Sequence, residues 1–265
     1  MSADTTLDNM RSFVQVPIGL TIAFCMAIAQ MSGAKAETIA EAQQHYHGCM
    51  ALTETNPEAA FDDATTWEGL GGGHPARHCA LAALIAIGHM DEAAQGLEKL
   101  ADEVSADAVF KSKLLLQSAR AWIAANKLER ATATADYALK LNPELMGAHF
   151  TRAQAMGIQG AYAEAIIDLT AVLRAYPGHP EVLVMRGSAY RFLDKLDLAL
   201  MDLDRALDIQ PTNVEGLLER GNVYRLMGRK NPARNNWLKV IELEPDSDAA
   251  RVARVNIHNL NSGVN

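Results

Sequence analysis

The chain has 265 residues, 49% of them apolar, 21% charged and only 6% aromatic, with a formal net charge of -8. That much apolar content supports a sizeable core and excludes a disordered chain or a disulfide-only miniprotein, while scarce aromatics and abundant alanine favour close-packed helices over a β-sandwich. Acid dominates residues 37–211, with 24 Asp+Glu against 14 Lys+Arg, and without a basic run the chain has no footprint for nucleic acid.

From Phe13 to Ala29 the chain is almost uninterruptedly apolar and carries no charge, and it then reaches Ala34-Lys35-Ala36 ahead of Glu37. This is the layout of a signal peptide over residues 1–36, with small residues where a signal peptidase cuts and cleavage expected after Ala36. Asp4 and Asp8 make a poor start for such a segment, whereas initiation at Met10 puts Arg11 directly before the apolar run. An uncleaved anchor is the competing reading, since an apolar run of this length could nearly span a thin bilayer. Lipidation of Cys25 is disfavoured by the bulky Phe24. The expected mature chain is periplasmic or secreted, has no membrane span, and keeps two cysteines, Cys49 and Cys79.

Residues 37–111 read as two irregular helical hairpins. One has a first helix through Tyr46, Cys49 and Leu52 and a second beginning at Asn56-Pro57. The other turns at Gly88-His89 into a helix through Ala93, and Gly71-Gly72-Gly73 reads as a flexible joint between the two. This region also holds His45, His47, Cys49, His74, His78 and Cys79. On helices, His45 with Cys49 and His74 with His78 share faces, a spacing that suits a transition metal. Three readings stay open there: a Cys49–Cys79 disulfide, a metal site with a metal-binding or redox accessory function, or unlinked thiols. Without Cys-x-x-Cys, a thioredoxin-type pair has no support, and with neither a Gly-x-Ser-x-Gly elbow nor a phosphate loop, no enzyme activity and no cofactor are expected.

Residues 112–247 carry the strongest signal. Pro143, Pro177, Pro211 and Pro245 recur with a constant period of 34, and the same shift aligns Ala131, Ala165, Ala199 and Ala233. It also aligns Trp122, Met156, Tyr190 and Tyr224, and the small residues Ala119, Ala153, Gly187 and Gly221. Each period holds two amphipathic helices. Gly187 and Tyr190 share a face of one, and Leu196, Ala199, Leu203 and Leu207 form the stripe of the other. Small residues sit where paired axes cross closely, and proline ends each unit. Ser247 caps a further helix within 248–265 that covers the last hairpin.

These columns resemble the tetratricopeptide repeat family, and four units at one period make the similarity specific. Two departures stand out: His149 replaces a bulky apolar residue, and Ala135 replaces the large residue of the Leu169, Leu203 and Trp237 column, so looser packing is expected in the first regular unit. The resemblance implies an all-α, right-handed superhelical solenoid of helix-turn-helix hairpins with a C-terminal capping helix. It also implies a non-enzymatic scaffold that binds a protein or peptide partner along a concave face lined by first helices. With Gly187 and Tyr190 buried, the opposite first-helix face presents Val184, Ser188 and Arg191. The repeat shift adds Phe150, Gln154 and Gly157 on one side and Leu218, Asn222 and Arg225 on the other, a set suited to an extended peptide with an apolar side chain and a carboxylate. Arg152, Arg186 and Arg220 form a further column, with Asp168 and Asp202 following the first two at a constant offset, which is expected to make repeat-to-repeat ion pairs.

Overall fold

Two kinds of turn, each imposed by backbone sterics, set the architecture of a computed structural model that describes residues 38–262. The expected signal segment, its expected cleavage after Ala36 and the expected start at Met10 lie outside the described residues. Among the described residues there are helices and no strand, and they divide into two compact units on either side of the Ala83–Leu84 bond.

In the first unit, α1 (Ile39–Thr55) opens with a reciprocal cap: Glu41 N donates to Thr38 Oγ1 and Thr38 N donates to Glu41 Oε2. Asn56 caps α2 (Pro57–Trp67), and Pro57 takes the first helical position, where a missing N–H costs nothing. Residues Glu68–Gly72 continue as a wide π turn into α3 (Gly73–Ile87), with Gly71 at φ 102° and Gly73 at φ 58°. The glycine run is therefore a shaped corner rather than a loose joint. A Cβ on Gly72 would stand 2.7 Å from the Trp67 ring, which the bare backbone covers.

The second unit continues with α4 (Met90–Glu103), then α5 (Ala108–Ala124) and α6 (Leu128–Leu141), α7 (Met146–Gln159) and α8 (Tyr162–Ala175), α9 (Pro180–Phe192) and α10 (Leu196–Ile209), α11 (Val214–Leu226) and α12 (Lys230–Leu243), and the last helix α13 (Asp248–Ser262). Within each hairpin the turn passes through one left-handed residue: Gly88, Asn126, Gly160, Asp194 or Gly228, at φ between 56° and 102°. The last four follow the same period of 34. Glycine, asparagine and aspartate tolerate that region best, so this column is a backbone requirement. Between hairpins, Asn142, Tyr176, Gln210 and Glu244 leave the helix with φ from -144° to -129°, because the following proline excludes the helical conformation.

The aligned columns are the core. Ala131, Ala165, Ala199 and Ala233 are buried, as are Ala119, Ala153, Gly187 and Gly221. A Cβ on Gly187 would lie 2.9 Å from Leu203 Cγ and 3.2 Å from the Ala199 carbonyl oxygen, which measures how closely α9 and α10 cross. Ala135 is fully buried, and the bulk in that unit comes from Trp122 of the first helix, also fully buried. The last helix α13 seals the final hairpin with Ala250 and Ala253 against the cluster of Val214, Leu217, Trp237 and Val240.

Candidate functional site

In the first unit the two cysteines, His45 and His78 are engaged in structural contacts. Cys49 and Cys79 form a disulfide joining α1 to α3, with Cα atoms 6.2 Å apart. His45 Nε2 lies 3.0 Å from Asp63 Oδ2, and its ring stacks on Trp67 with centroids 4.2 Å apart. His78 Nδ1 meets the Tyr46 hydroxyl at 2.7 Å, and burial pushes the Tyr46 phenol up to about 12. His47 is exposed and His74 half-buried. Among the described residues no group of three or more His, Cys, Asp or Glu is placed to hold a metal, so the metal and redox reading of His45, His47, Cys49, His74, His78 and Cys79 is corrected: the disulfide removes both thiolates.

In the second unit the arginine column forms a ladder. Arg152 makes a two-pronged pair with Asp168, Nε to Oδ2 at 2.7 Å and Nη2 to Oδ1 at 2.8 Å, and Nη1 reaches back to Asp136 at 2.5 Å. Arg186 repeats the pair with Asp202 at 2.7 and 2.8 Å and reaches back to Thr170 at 3.1 Å. Arg220 binds Asn236 at 2.9 Å and Asp204 at 2.8 Å. Each first-helix arginine thus clamps its own second helix and the preceding one, at an offset of 16 in both directions. Only the forward partners Asp168 and Asp202 were singled out in the sequence, because the backward column of Asp136, Thr170 and Asp204 is mixed.

One repeat earlier, Ser118 stands in the arginine column and another network replaces the pair. Glu98 of α4 accepts from Trp122 Nε1 at 2.7 Å, Thr134 Oγ1 at 2.5 Å and Arg130 Nη2 at 3.3 Å, with the Arg130 guanidinium 3.8 Å over the Trp122 ring. His149 joins the ladder, with Nδ1 at 2.7 Å from Asp168 Oδ1 and Nε2 at 3.0 Å from the Pro143 carbonyl. Both oxygens only accept, so the ring satisfies both when doubly protonated. The Asp168 bond raises the His149 pKa against the opposing effect of burial. Burial pushes Asp168 up, yet the hydrogen bonds and charges of Arg152 and His149 outweigh it and hold the carboxyl below its ordinary range.

The first-helix face divides the eight residues expected to bind a partner. Gln154, Ser188, Leu218, Asn222 and Arg225 are half-buried, within reach of solvent. Phe150 and Val184 are buried in the core cluster with Leu169, Leu183 and Leu203, so these two pack the helices together rather than line a surface. Arg191 is not a waiting cation: Nε meets Glu219 Oε2 at 2.6 Å, the two side chains are 16% and 18% exposed, and the guanidinium lies 4.0 Å over the Phe192 ring. Asn222 donates to Glu219 at 3.3 Å and accepts from Asn256 at 3.0 Å. Sequence reasoning missed Arg120, which the repeat shift places in the column of Gln154, Ser188 and Asn222, and Glu181 with Glu215 in the column of Gly147.

The family model for the tetratricopeptide repeat matches residues 180–213, the hairpin of α9 and α10. No curated protein matches the chain in sequence. Among solved structures, the C-terminal part of a TPR repeat-containing protein from Cytophaga hutchinsonii is 14% identical, with a TM-score of 0.65, and the match covers 83% of this chain and 87% of that one. MamA from Desulfovibrio magneticus RS-1, from residue 41 to its end, is 22% identical with a TM-score of 0.58, over 70% of this chain and 97% of that one. Another MamA crystal structure is 16% identical with a TM-score of 0.56, over 62% and 94%. Such identities speak to the fold alone: the chain has the all-α fold of tetratricopeptide-repeat solenoids, and residues 180–213 match the family's model in sequence.

Proposed function

We propose that the regular repeats act as a non-enzymatic scaffold, holding an extended segment of a protein partner in a groove along their first helices. The observation that carries this reading is the run Gln154, Ser188, Asn222: one half-buried polar side chain per hairpin, at one register, on successive first helices. The bond from Asn256 to Asn222 joins members of that column one full period apart, so the column is contiguous there. A main chain laid along such a row finds a donor and acceptor at each step, and half-buried apolar neighbours such as Leu218 offer contact for its side chains. The Cys49–Cys79 disulfide supports a place in the cell envelope or outside the cell, where thiols oxidise, with a signal segment removed after Ala36.

Filling the row with bulk tests the reading. A Gln154→Arg, Ser188→Arg double variant is expected to keep its helical circular dichroism and melting temperature while losing the proteins captured by the native chain from envelope extract. Undiminished capture by a folded double variant sinks the groove. Intact mass of protein recovered from its own host tests the leader: a chain starting at Glu37 supports export, and one retaining residues 10–36 points to an anchor.

A further inference from the structure

The first-helix face carries charge at both ends of the regular repeats, cations on α5 and two carboxylates on α9 and α11, with the half-buried Arg225 also on α11. At one end, α5 carries Lys113 and Arg120. Arg120 is half-buried and leans toward α7, its Nη2 lying 3.4 Å from where a Cβ on Gly147 would stand, so the missing side chain leaves the guanidinium room. Among the described residues the ion pairs of the second unit involve other side chains, and burial alone draws the Arg120 pKa down. Further along, in the column of Gly147, α9 carries Glu181 and α11 carries Glu215. Burial and then the charge of Glu215 raise the pKa of Glu181. On the same α9 and α11, Arg191 and Glu219 cancel each other. A half-buried guanidinium without a counter-charge and two neighbouring carboxylates of like charge both weaken the free protein, and an opposite charge from outside relieves each.

Resting on the groove reading above, we propose that the occupant is an extended peptide of opposed charges, placing an acidic side chain on Arg120 and a lysine or arginine between Glu181 and Glu215. Neighbouring helices lie about 10 Å apart, so two to two-and-a-half steps from α5 make about 20 to 25 Å, which about six to eight extended residues span. The charge order also fixes the direction of the segment.

Selection from a phage-displayed random dodecapeptide library on the immobilised protein tests this. The native chain is expected to enrich peptides with Asp or Glu about six to eight residues from Lys or Arg. Arg120→Glu is expected to lose the acidic preference and keep the basic one, and a Glu181→Lys, Glu215→Lys variant the reverse. A synthetic peptide from the native pool is expected to bind Arg120→Glu about ten- to a hundredfold more weakly. Arg120→Met removes a half-buried charge and is expected to melt no lower than the native chain. A clear drop in its melting temperature would show that Arg120 has a folding role, overturning the assignment. Enriched peptides without the paired charges, or an unchanged pool on folded Arg120→Glu, sink the opposed-charge occupant and leave the groove standing. No enrichment at all sinks both.

Discussion

Residues 38–83 bury mainly alanines, with the two cysteines, Trp67 and Leu81, whereas the regular repeats bury Leu115, Leu169, Leu183, Leu203, Val223, Trp122 and Trp237 among their small columns. The small side chains of the first region release little free energy on burial, since hydrophobic stabilisation scales with the apolar area removed from water. A covalent staple from α1 to α3 supplies what its core does not. The repeats have no such staple among the described residues, and the arginine ladder instead locks α7, α9 and α11 to the second helices on either side. One region restricts its unfolded chain; the other specifies its folded register.

Breaking the ladder should have the largest effect. Arg186→Ala leaves Asp202 buried at 3% exposure without its partner, and is expected to destabilise the repeats by about 3 to 5 kcal/mol in denaturant unfolding. Arg220→Ala is expected to cost clearly less, about 1 kcal/mol, because its partners are the neutral Asn236 and the exposed carboxylate of Asp204. Equal losses from the two variants would mean that buried charge is not what the ladder controls.

Removing the staple should come next. By loop entropy, closing 30 residues contributes about 3 to 4 kcal/mol, so Cys49→Ser with Cys79→Ser is expected to release hydrogen-exchange protection in α1 and α2 while the amides of α7 to α12 keep theirs. Loss of protection throughout would merge the two regions into one cooperative unit. Within the repeats, Gly187→Val drives a side chain into Leu203 and the Ala199 carbonyl and is expected to cost about 1 to 3 kcal/mol. Gly157→Ala, with nothing within 4 Å of its Cβ, is expected to stabilise by about 0.5 to 1 kcal/mol as a better helix former.

The smallest effect is a pH dependence confined to the repeats. His149 has its pKa raised in the folded state, so its contribution is present in full below the ordinary histidine range and is lost as pH rises through the folded value. Burial lowers the His179 pKa and works the other way in the same range, so the readout is the difference: in thermal unfolding from about pH 5.5 to 8.5 the native chain should lose stability relative to His149→Gln as pH rises. Asp168 works in the opposite sense, its contribution present above the ordinary aspartate range and lost as acid protonates it. A slope unaltered by His149→Gln would assign it to another group.

Much of this was legible because a solenoid repeats its local instructions. The prolines at 143, 177, 211 and 245, the alanine and small-residue columns and the forward partners of the arginines are all read by sliding the chain over itself by one period. Two cysteines in a chain expected to be exported raise a disulfide, though not its geometry. What the period cannot tell is which face of a column meets a neighbour, and this decided the rest. Phe150 and Val184 went into the core, where they join Leu169, Leu183 and Leu203 in one cluster. Arg191 found Glu219 across an offset of 28, which is no multiple of the repeat, and Glu98 gathered Trp122, Thr134 and Arg130 from two other helices. Periodicity follows from local propensity and spacing along one chain, whereas charge pairing depends on distances between helices, and those exist only once the hairpins have stacked.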